Sequence, residues 1–266
     1  MRQLNKSAES VFKSVEICNQ DLEFQWFGPS PDEAPTIIFL HEGLGCVAMW
    51  KNFPQRVVEA TGLGGIVYSR AGYGKSDPIT LPRPVSFMHD EALVVLPEVL
   101  DAMGIREAIL FGHSDGGSIA LIHAADTRRN NIRALILEAP HVFVEDVSVE
   151  SIELAKVNYE TGNLRAGLER YHGDNVDCAF RGWNDVWLNP GFRSWNIEAY
   201  LPSITCPVLV IQGADDEYGT LNQVEAIERG CSGRVERAIL ANCGHSPHRD
   251  QPDQVIAAVT QFLSSM

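Results

Sequence analysis

Short apolar runs alternate with longer amphipathic stretches along the chain, and this alternation is typical of a parallel sheet covered by helices. Six runs rich in β-branched residues predict strands, at Thr36–Leu40, Gly65–Ser69, Ala108–Phe111, Ala134–Leu137, Pro207–Ile211 and Val235–Leu240. These runs are mostly apolar on both faces, as strands in a buried central sheet must be. An antiparallel pair of strands is predicted before them, near Val11–Phe27.

Helical periodicity fills the gaps between the strands and predicts helices at Met49–Ala60, Met88–Met103, Gly116–Thr127, Leu221–Arg229 and Gln254–Phe262. The rhythm breaks after Leu137, because the next sixty residues are rich in aromatics and contain no strand pattern. We therefore expect an α/β protein with a mostly parallel central sheet of about eight strands, helices on both faces and an inserted helical cap. The expected boundaries are 1–140 for the first part of the core, 141–201 for the cap and 202–266 for the second part.

Composition limits the kind of protein that this can be. With 266 residues, 45% apolar and 21% charged, the chain matches one large globular domain. No run of about eighteen apolar residues and no apolar N-terminal stretch occurs, so we expect a cytoplasmic protein without a membrane segment. Six scattered cysteines without a C-x-x-C pair predict neither a zinc cluster nor a disulfide framework, and we expect no metal and no cofactor. A net charge of −14 disfavours nucleic acids and anionic membranes as partners, which leaves small neutral molecules bound by a monomer or homodimer.

One segment carries the pattern of an activated nucleophile. Gly112-His113-Ser114-Asp115-Gly116 is a G-x-S-x-G motif that follows a predicted strand and opens a predicted helix. A serine pinched into such a turn needs small neighbours two positions away on each side, and glycine stands at both. The backbone N–H of Asp115 at the helix start can stabilise a developing oxyanion. The alternative is an ordinary helix-capping serine.

A second loop follows the strand Thr36–Leu40 and reads His41-Glu42-Gly43-Leu44-Gly45. Together with the serine motif it resembles the α/β-hydrolase superfamily, and the resemblance extends from about Thr36 to the C-terminus. It implies a second oxyanion donor at the N–H of Gly43 or Leu44. The segment 69–76 resembles the family's D-R-x-G-x-G-x-S loop, with Ser69 where aspartate is usual, and Glu42 replaces a usual glycine.

The resemblance implies a triad in the chain order serine, acid, histidine. It assigns the acid to Asp216, in a G-x-x-D turn after a strand, and the base to His245, in a G-H loop after the last strand. Asp215 and Glu217 compete for the acid role and His248 for the base role. We expect His41 and His113 to be structural hydrogen-bonding groups.

Substrate-binding residues are harder to derive from the sequence. Glu42 would oppose an oxyanion unless its side chain points away or pairs with Arg70 or Lys51, and it could instead recognise a substrate amine or hydroxyl. Trp183 and Trp187 lie four residues apart on one helix face and, with Trp195, are candidates for an apolar pocket wall. Residues 72–74, Gly-Tyr-Gly, lack the rest of a phosphate loop and predict a turn.

These features predict a serine hydrolase that cleaves a small neutral carboxylic ester or lactone through an acyl-enzyme on Ser114. A serine at this position excludes the mechanisms of haloalkane dehalogenases and epoxide hydrolases, which need aspartate there. The alternatives are a carbon–carbon bond hydrolase of ring-fission products, for which Arg181 or Trp183 would contact an anionic dienoate, and a non-catalytic ligand-binding homologue. An iminopeptidase fits less well, because its typical loops differ from HEGLG and GHSDG.

Overall fold

The computed structural model describes residues 13–126, 128 and 131–266. Its strands are β1 (Lys13–Ile17), β2 (Gln20–Phe27), β3 (Thr36–Leu40), β4 (Gly64–Tyr68), β5 (Ala108–His113), β6 (Ile132–Glu138), β7 (Val208–Gly213) and β8 (Val235–Leu240). Each predicted strand is present, with ends within two residues of the prediction. Val11 and Phe12 of the predicted pair, and Thr127 of a predicted helix, lie outside the described residues.

All eight strands form one sheet in the order β1-β2-β4-β3-β5-β6-β7-β8. β1 and β2 pair antiparallel, as do β2 and β4, and all remaining pairs are parallel. The prediction of a mostly parallel sheet of about eight strands is confirmed. Because parallel strands end on the same edge, the loops after β3, β5, β7 and β8 all meet at one edge of the sheet.

Helices cover both faces of the sheet, as predicted. They are α1 (Phe53–Thr61), α2 (Phe87–Asp90), α3 (Leu96–Ala102), α4 (Asp115–Ala124), α5 (Asp146–Thr161), α6 (Leu164–His172), α7 (Val176–Trp187), α8 (Leu221–Gly230), α9 (Pro247–Asp250) and α10 (Pro252–Ser264). One apolar core lies between the sheet and helices α3, α4 and α8, and a second lies between the sheet and helices α1 and α10. α4 is buried along its whole length except its last residue, so the central strand and helix are fixed on every side.

The segment between β6 and β7 folds as helices α5, α6 and α7 with short 3₁₀ turns. It lies over the strand edge, because Ser148 Oγ donates to the carbonyl of Tyr218 at 2.5 Å and Ser151 Oγ to that of Glu217 at 2.6 Å. A single antiparallel bridge joins Phe143 to Asn196 at its base. This segment coincides with the predicted cap, and its boundaries as a separate domain stay a prediction.

The helix predicted at Met49–Ala60 begins too early in that prediction. Residues Val47–Trp50 form a 3₁₀ turn, and Lys51 adopts a left-handed φ of 53° that no α-helix continues through. α1 begins only at Phe53, with Pro54 in its first turn, where proline's missing N–H costs nothing. None of the helices within the described residues is long and apolar enough to cross a membrane.

Candidate active site

Ser114 occupies the turn between β5 and α4 in a strained conformation, with φ 52° and ψ −117°. The flanking glycines are required by sterics. A Cβ atom on Gly112 would lie 2.3 Å from the carbonyl oxygen of Gly116, and one on Gly116 would lie 2.1 Å from that of Leu40. The motif therefore holds the Ser114 hydroxyl at the strand edge, on a backbone that tolerates no side chain at either position.

A continuous hydrogen-bonded chain joins Ser114, His245 and Asp216. His245 Nε2 lies 2.9 Å from Ser114 Oγ, and His245 Nδ1 lies 2.9 Å from each carboxylate oxygen of Asp216. Burial alone would raise the pKa of Asp216, but the hydrogen bond from His245 and its charge hold that pKa below its usual range. Asp216 is therefore an ionised acceptor that fixes the imidazole with Nε2 facing the serine.

The alternative acids and base make other contacts than those of the chain from Ser114 to Asp216. Asp215 is exposed, and Glu217 accepts a bond from the backbone N–H of His245 at 3.2 Å rather than from its ring. His248 Nδ1 bonds Glu138 at 2.7 Å, so of the two candidate histidines it is His245 whose ring meets Ser114. Asp216 Oδ1 also accepts the N–H of Tyr218 at 2.7 Å, which orients the carboxylate.

Hydrogen bonds from Arg70 hold the loop after β3 in place. Its guanidinium donates to the carbonyl oxygens of His41 at 2.5 Å and Glu42 at 2.9 Å, and its backbone N–H donates to His41 Nε2 at 3.1 Å. His41 Nδ1 in turn donates to the Glu42 carbonyl at 2.7 Å. These bonds occupy the carbonyl oxygens of His41 and Glu42. The bonds fit the structural role expected of His41.

Two glycines of this loop lie in contact with larger side chains, which leave no room for a Cβ atom at either position. A Cβ on Gly43 would lie 2.1 Å from the Trp183 ring, and one on Gly45 would lie 2.2 Å from Glu42 Oε2. Trp183 thus packs directly on the predicted oxyanion residue Gly43. Leu44 follows it in the wall of the same cavity.

Ser69, which stands where the family usually has aspartate, is connected to a carboxylate nonetheless. Its hydroxyl donates to Glu23 at 2.6 Å and accepts the N–H of Val47 at 2.9 Å. Glu23 on β2 therefore places a buried carboxyl group beside this loop, whose own sequence lacks the usual aspartate.

A cavity of about 240 Å³ opens above Ser114. Its walls come from the loop after β3, the loops carrying Asp216 and His245, and the helices α5, α6 and α7. The lining includes Glu42, Leu44, Met49, His141, Ile152, Leu164, Leu168, Trp183, Trp187, Glu217, Tyr218 and Arg249. The two tryptophans predicted to share a helix face both line it.

Two further sequence candidates do not line this cavity. Trp195 stacks on Phe192 with ring centroids 5.3 Å apart and packs behind Trp187, because it lies beyond the end of α7. Arg181 is exposed and lines a separate cleft on the outside of α7. Arg249 is the only arginine or lysine among the described lining residues; it is exposed and donates to Asp250 at 3.3 Å.

The carboxyl group of Asp115 lies beneath the cavity, fully buried. Its Oδ1 accepts a hydrogen bond from Trp187 Nε1 at 3.1 Å, and its Oδ2 has no partner among the described residues. Burial raises the pKa of Asp115 to about 6, although the guanidinium of Arg70 opposes the shift. At the start of α4 the backbone N–H of this residue has no partner one turn earlier in the helix, which suits it to an oxyanion.

Behind the chain of Ser114, His245 and Asp216 lies a second group of imidazoles and carboxylates. His113 Nε2 donates to the carbonyl oxygen of His245 at 2.7 Å, and its Nδ1 lies 3.5 Å from Glu42 Oε2. Glu42 thus pairs with His113 rather than with the side chain of Arg70 or Lys51, the two partners that the sequence suggested if the carboxylate did not point away. Potential metal-ligand atoms of His113, Glu138 and His248 lie within 4.8 Å of one another. Nitrogen atoms of both histidines already make hydrogen bonds there.

His141 lies inside the cavity and was not singled out in the sequence. Its ring packs between Trp187, at 5.1 Å, and His245, at 5.7 Å between centroids. Burial, followed by the nearby His245, lowers the pKa of His141 to about 3, so its imidazole is neutral at physiological pH. A histidine at a strand end carries no motif, so only the fold reveals its position.

Comparison with known proteins identifies the family. The model of the alpha/beta hydrolase family matches residues 37–258. The chain belongs to this family.

A 2-hydroxy-6-oxo-6-phenylhexa-2,4-dienoate hydrolase of Comamonas testosteroni is 25% identical over 99% of both chains. Among solved structures, a bacterial membrane phospholipase A superposes with a TM-score of 0.80 at 20% identity, covering 96% of this chain and 86% of that one. An enol-lactonase from Burkholderia xenovorans LB400 superposes with a TM-score of 0.72 at 19% identity over 95% and 100%. The predicted superfamily is thereby confirmed, and the relatives are hydrolases.

Proposed function

We propose that this member of the alpha/beta hydrolase family is a serine hydrolase that cleaves a small, uncharged carboxylic ester or lactone. The observation that carries the proposal is the unbroken chain from Ser114 Oγ through His245 to the ionised Asp216, at 2.9 Å for each link, beneath a cavity of about 240 Å³. A serine, a base in hydrogen-bond reach and a carboxylate that orients the base are the parts that acyl transfer needs.

The first half of the reaction forms an acyl-enzyme. His245 Nε2 takes the proton of Ser114 while Oγ attacks the carbonyl carbon, and Asp216 stabilises the imidazolium that results. The tetrahedral oxyanion accepts hydrogen bonds from the N–H of Asp115 and from that of Gly43 or Leu44. His245 then donates its proton to the departing alkoxide oxygen, which leaves as an alcohol.

The second half returns the enzyme to its starting state. A water molecule gives a proton to His245 Nε2 and adds to the acyl carbon, which forms a second oxyanion in the same place. Collapse of that intermediate breaks the bond to Ser114 Oγ, which recovers its proton from His245. The products are one carboxylic acid and one alcohol, or one hydroxy acid from a lactone.

The cavity supports a short, uncharged substrate. Its far wall is aliphatic and aromatic, with Ile152, Leu164, Leu168 and Trp183. The carboxylate of Glu217 borders it and disfavours an anionic substrate. We expect acyl chains of about two to four carbons to fit best, because a cavity of about 240 Å³ also has to hold the leaving group.

Carbon–carbon bond hydrolysis is the second candidate, and its support is the dienoate hydrolase of Comamonas testosteroni, which aligns end to end with this chain at 25% identity. A dienoate carries a carboxylate that needs a cationic partner beside the nucleophile. In the described lining Arg249 is the one such residue, and it is exposed and bonded to Asp250. The ester is therefore the better fit.

A substrate panel tests the two candidates together. p-Nitrophenyl esters from acetate to octanoate and a 6-phenyl-2-hydroxy-6-oxohexadienoate are offered to the wild-type protein and to Ser114→Ala. We expect the highest kcat/KM for acetate or butyrate, and no turnover by the variant above the uncatalysed rate. Bleaching of the dienoate without ester hydrolysis would favour the second candidate. Failure of every substrate, with binding of one, would favour a non-catalytic homologue.

A further inference from the structure

The carbonyl oxygen of His245 is bound by another histidine ring. His113, the residue just before the nucleophile, donates from Nε2 to this oxygen at 2.7 Å, and its ring centroid lies 5.3 Å from that of His245. The base is thus held at two points, by Asp216 at its ring and by His113 at its backbone. The His113 side chain is 1% exposed, so this bond has no competition from water.

Both nitrogens of His113 face oxygen atoms that can only accept hydrogen bonds. Nε2 faces the carbonyl of His245, and Nδ1 faces the carboxylate of Glu42 at 3.5 Å. Nδ1 makes no hydrogen bond within the described residues, so its contact with Glu42 at 3.5 Å is an ion pair, which favours the imidazolium form because a neutral ring would turn a lone pair toward this carboxylate. Burial alone would lower the pKa of His113, but the Glu42 carboxylate and then Glu138 raise it. The same contact with His113 holds the pKa of Glu42 below its usual range, against the effect of burial.

The surroundings of His113 supply further negative charge. Glu138 is the register partner of His113 in the neighbouring strand and is fully buried. One of its oxygens binds His248 on α9, which follows His245 by three residues. The loop that carries the base is therefore held at two positions, by His113 at the carbonyl oxygen of His245 and by Glu138 at His248. The titratable groups around the His113 ring are Glu42, Glu138, His141, His245 and His248.

We propose that His113 is a positioning residue for the base His245, and that Glu42 is the counter-ion that keeps His113 in the imidazolium form. The proposal rests on the proposed function, since it assigns a task within that reaction. It also accounts for the carboxylate beside the oxyanion loop, because the charge of Glu42 is directed at His113 and neutralised there.

Kinetics of three variants test this assignment. His113→Gln keeps a donor near the Nε2 position and removes the charge. We expect kcat on the best ester to fall about 10-fold with KM within twofold. The acidic limb of the kcat/KM profile should move to higher pH, since the variant removes a cation whose ring centroid lies 5.3 Å from that of His245. Glu42→Gln should lower kcat in the wild-type background but add little to His113→Gln, because the pair acts as one unit.

Asp215→Asn is the matched control, because it removes an exposed carboxylate whose backbone N–H bonds the neighbouring loop at Cys243. We expect its kcat and pH profile to match the wild type. An acidic limb that does not move in His113→Gln, or losses in the double variant that simply add, would overturn the proposal.

A spectroscopic measurement keeps the two proposals separable. Long-range ¹H–¹⁵N spectra of the wild-type protein at pH 7 should show both His113 nitrogens protonated, and Glu42→Gln should return the ring to one proton. If no ester is turned over, the proposed function fails, and these spectra still decide the charge of His113. A neutral His113 ring in the wild type would overturn the assignment even in an active enzyme.

Discussion

Replacing Asp115 by asparagine removes a buried charge from the start of α4 while keeping the size of the side chain. Trp187 Nε1 can still donate to the remaining amide oxygen. The wild-type carboxyl has its pKa raised by burial from 3.8 to about 6. Each unit of difference between folded and unfolded states corresponds to about 1.4 kcal/mol, so the ionised form costs about 3 kcal/mol of stability.

The sign of the pH dependence follows from which state holds the proton. Between about pH 4 and pH 6 folded Asp115 keeps a proton that the unfolded chain has released, so wild-type stability falls as pH rises through this window. Asparagine does not titrate. The free energy of unfolding of Asp115→Asn should therefore rise relative to the wild type by about 2.4 kcal/mol from pH 4 to pH 7. About 1.3 kcal/mol of this rise should fall between pH 5 and pH 7.

Urea denaturation of both proteins at pH 5, 6, 7 and 8 measures this difference. The protein concentration at pH 5 has to be micromolar, because close to the isoelectric point of about 4.9 the protein has little net charge to keep it monomeric. The change of this difference with pH is the decisive quantity, because any effect of the new amide group on the free energy of unfolding is the same at every pH. Gly167→Ala in α6, which changes no titratable group, should show no such trend. A difference between wild type and Asp115→Asn that is the same at every pH would refute the assignment of a raised pKa.

Three further outcomes are expected. Gly116→Ala would place its Cβ 2.1 Å from the Leu40 carbonyl oxygen, and its free energy of unfolding should fall by about 3 kcal/mol. Gly167→Ala in α6 meets no described atom within 4 Å, and its free energy of unfolding should rise by about 0.5–1 kcal/mol. Equal melting temperatures of the two variants in thermal denaturation would contradict the clash. Arg70→Lys loses the paired hydrogen bonds from the guanidinium to the carbonyl oxygens of His41 and Glu42. We expect kcat to fall about 10- to 100-fold in a protein whose circular dichroism is unchanged. An unaltered kcat would refute this role of Arg70. Asp216→Asn should lower kcat by about 10⁴ in steady-state kinetics, and a loss under tenfold would remove it as the orienting acid.

Much of the fold could be predicted because the strands are buried on both faces. A run such as Thr36–Leu40, with every residue buried, carries a signal that survives without knowledge of its neighbours. The start of α1 could not be predicted, because the left-handed turn at Lys51 interrupts an apolar pattern that continues through it. Local backbone geometry decided that boundary.

The site divides in the same way. Ser114, Asp216 and His245 each follow a strand, and the carboxyl ends of parallel strands meet, so the family resemblance and the chain order together predicted that they lie at one edge. The pairing of Glu138 with His248 joins residues 110 positions apart and has no local signature. Trp195 was misplaced for a related reason, since it lies beyond the helix whose periodicity fixes Trp183 and Trp187.

Covalent labelling of Ser114 tests the central claim most directly. The purified protein is incubated with a fluorophosphonate probe, and the adduct is located by peptide mass spectrometry, with Ser114→Ala as the control. A serine activated by the chain through His245 to Asp216 predicts one adduct on Ser114 in the wild type and none in the variant. A wild-type protein that stays unlabelled, or a variant that labels as fast, would contradict the account.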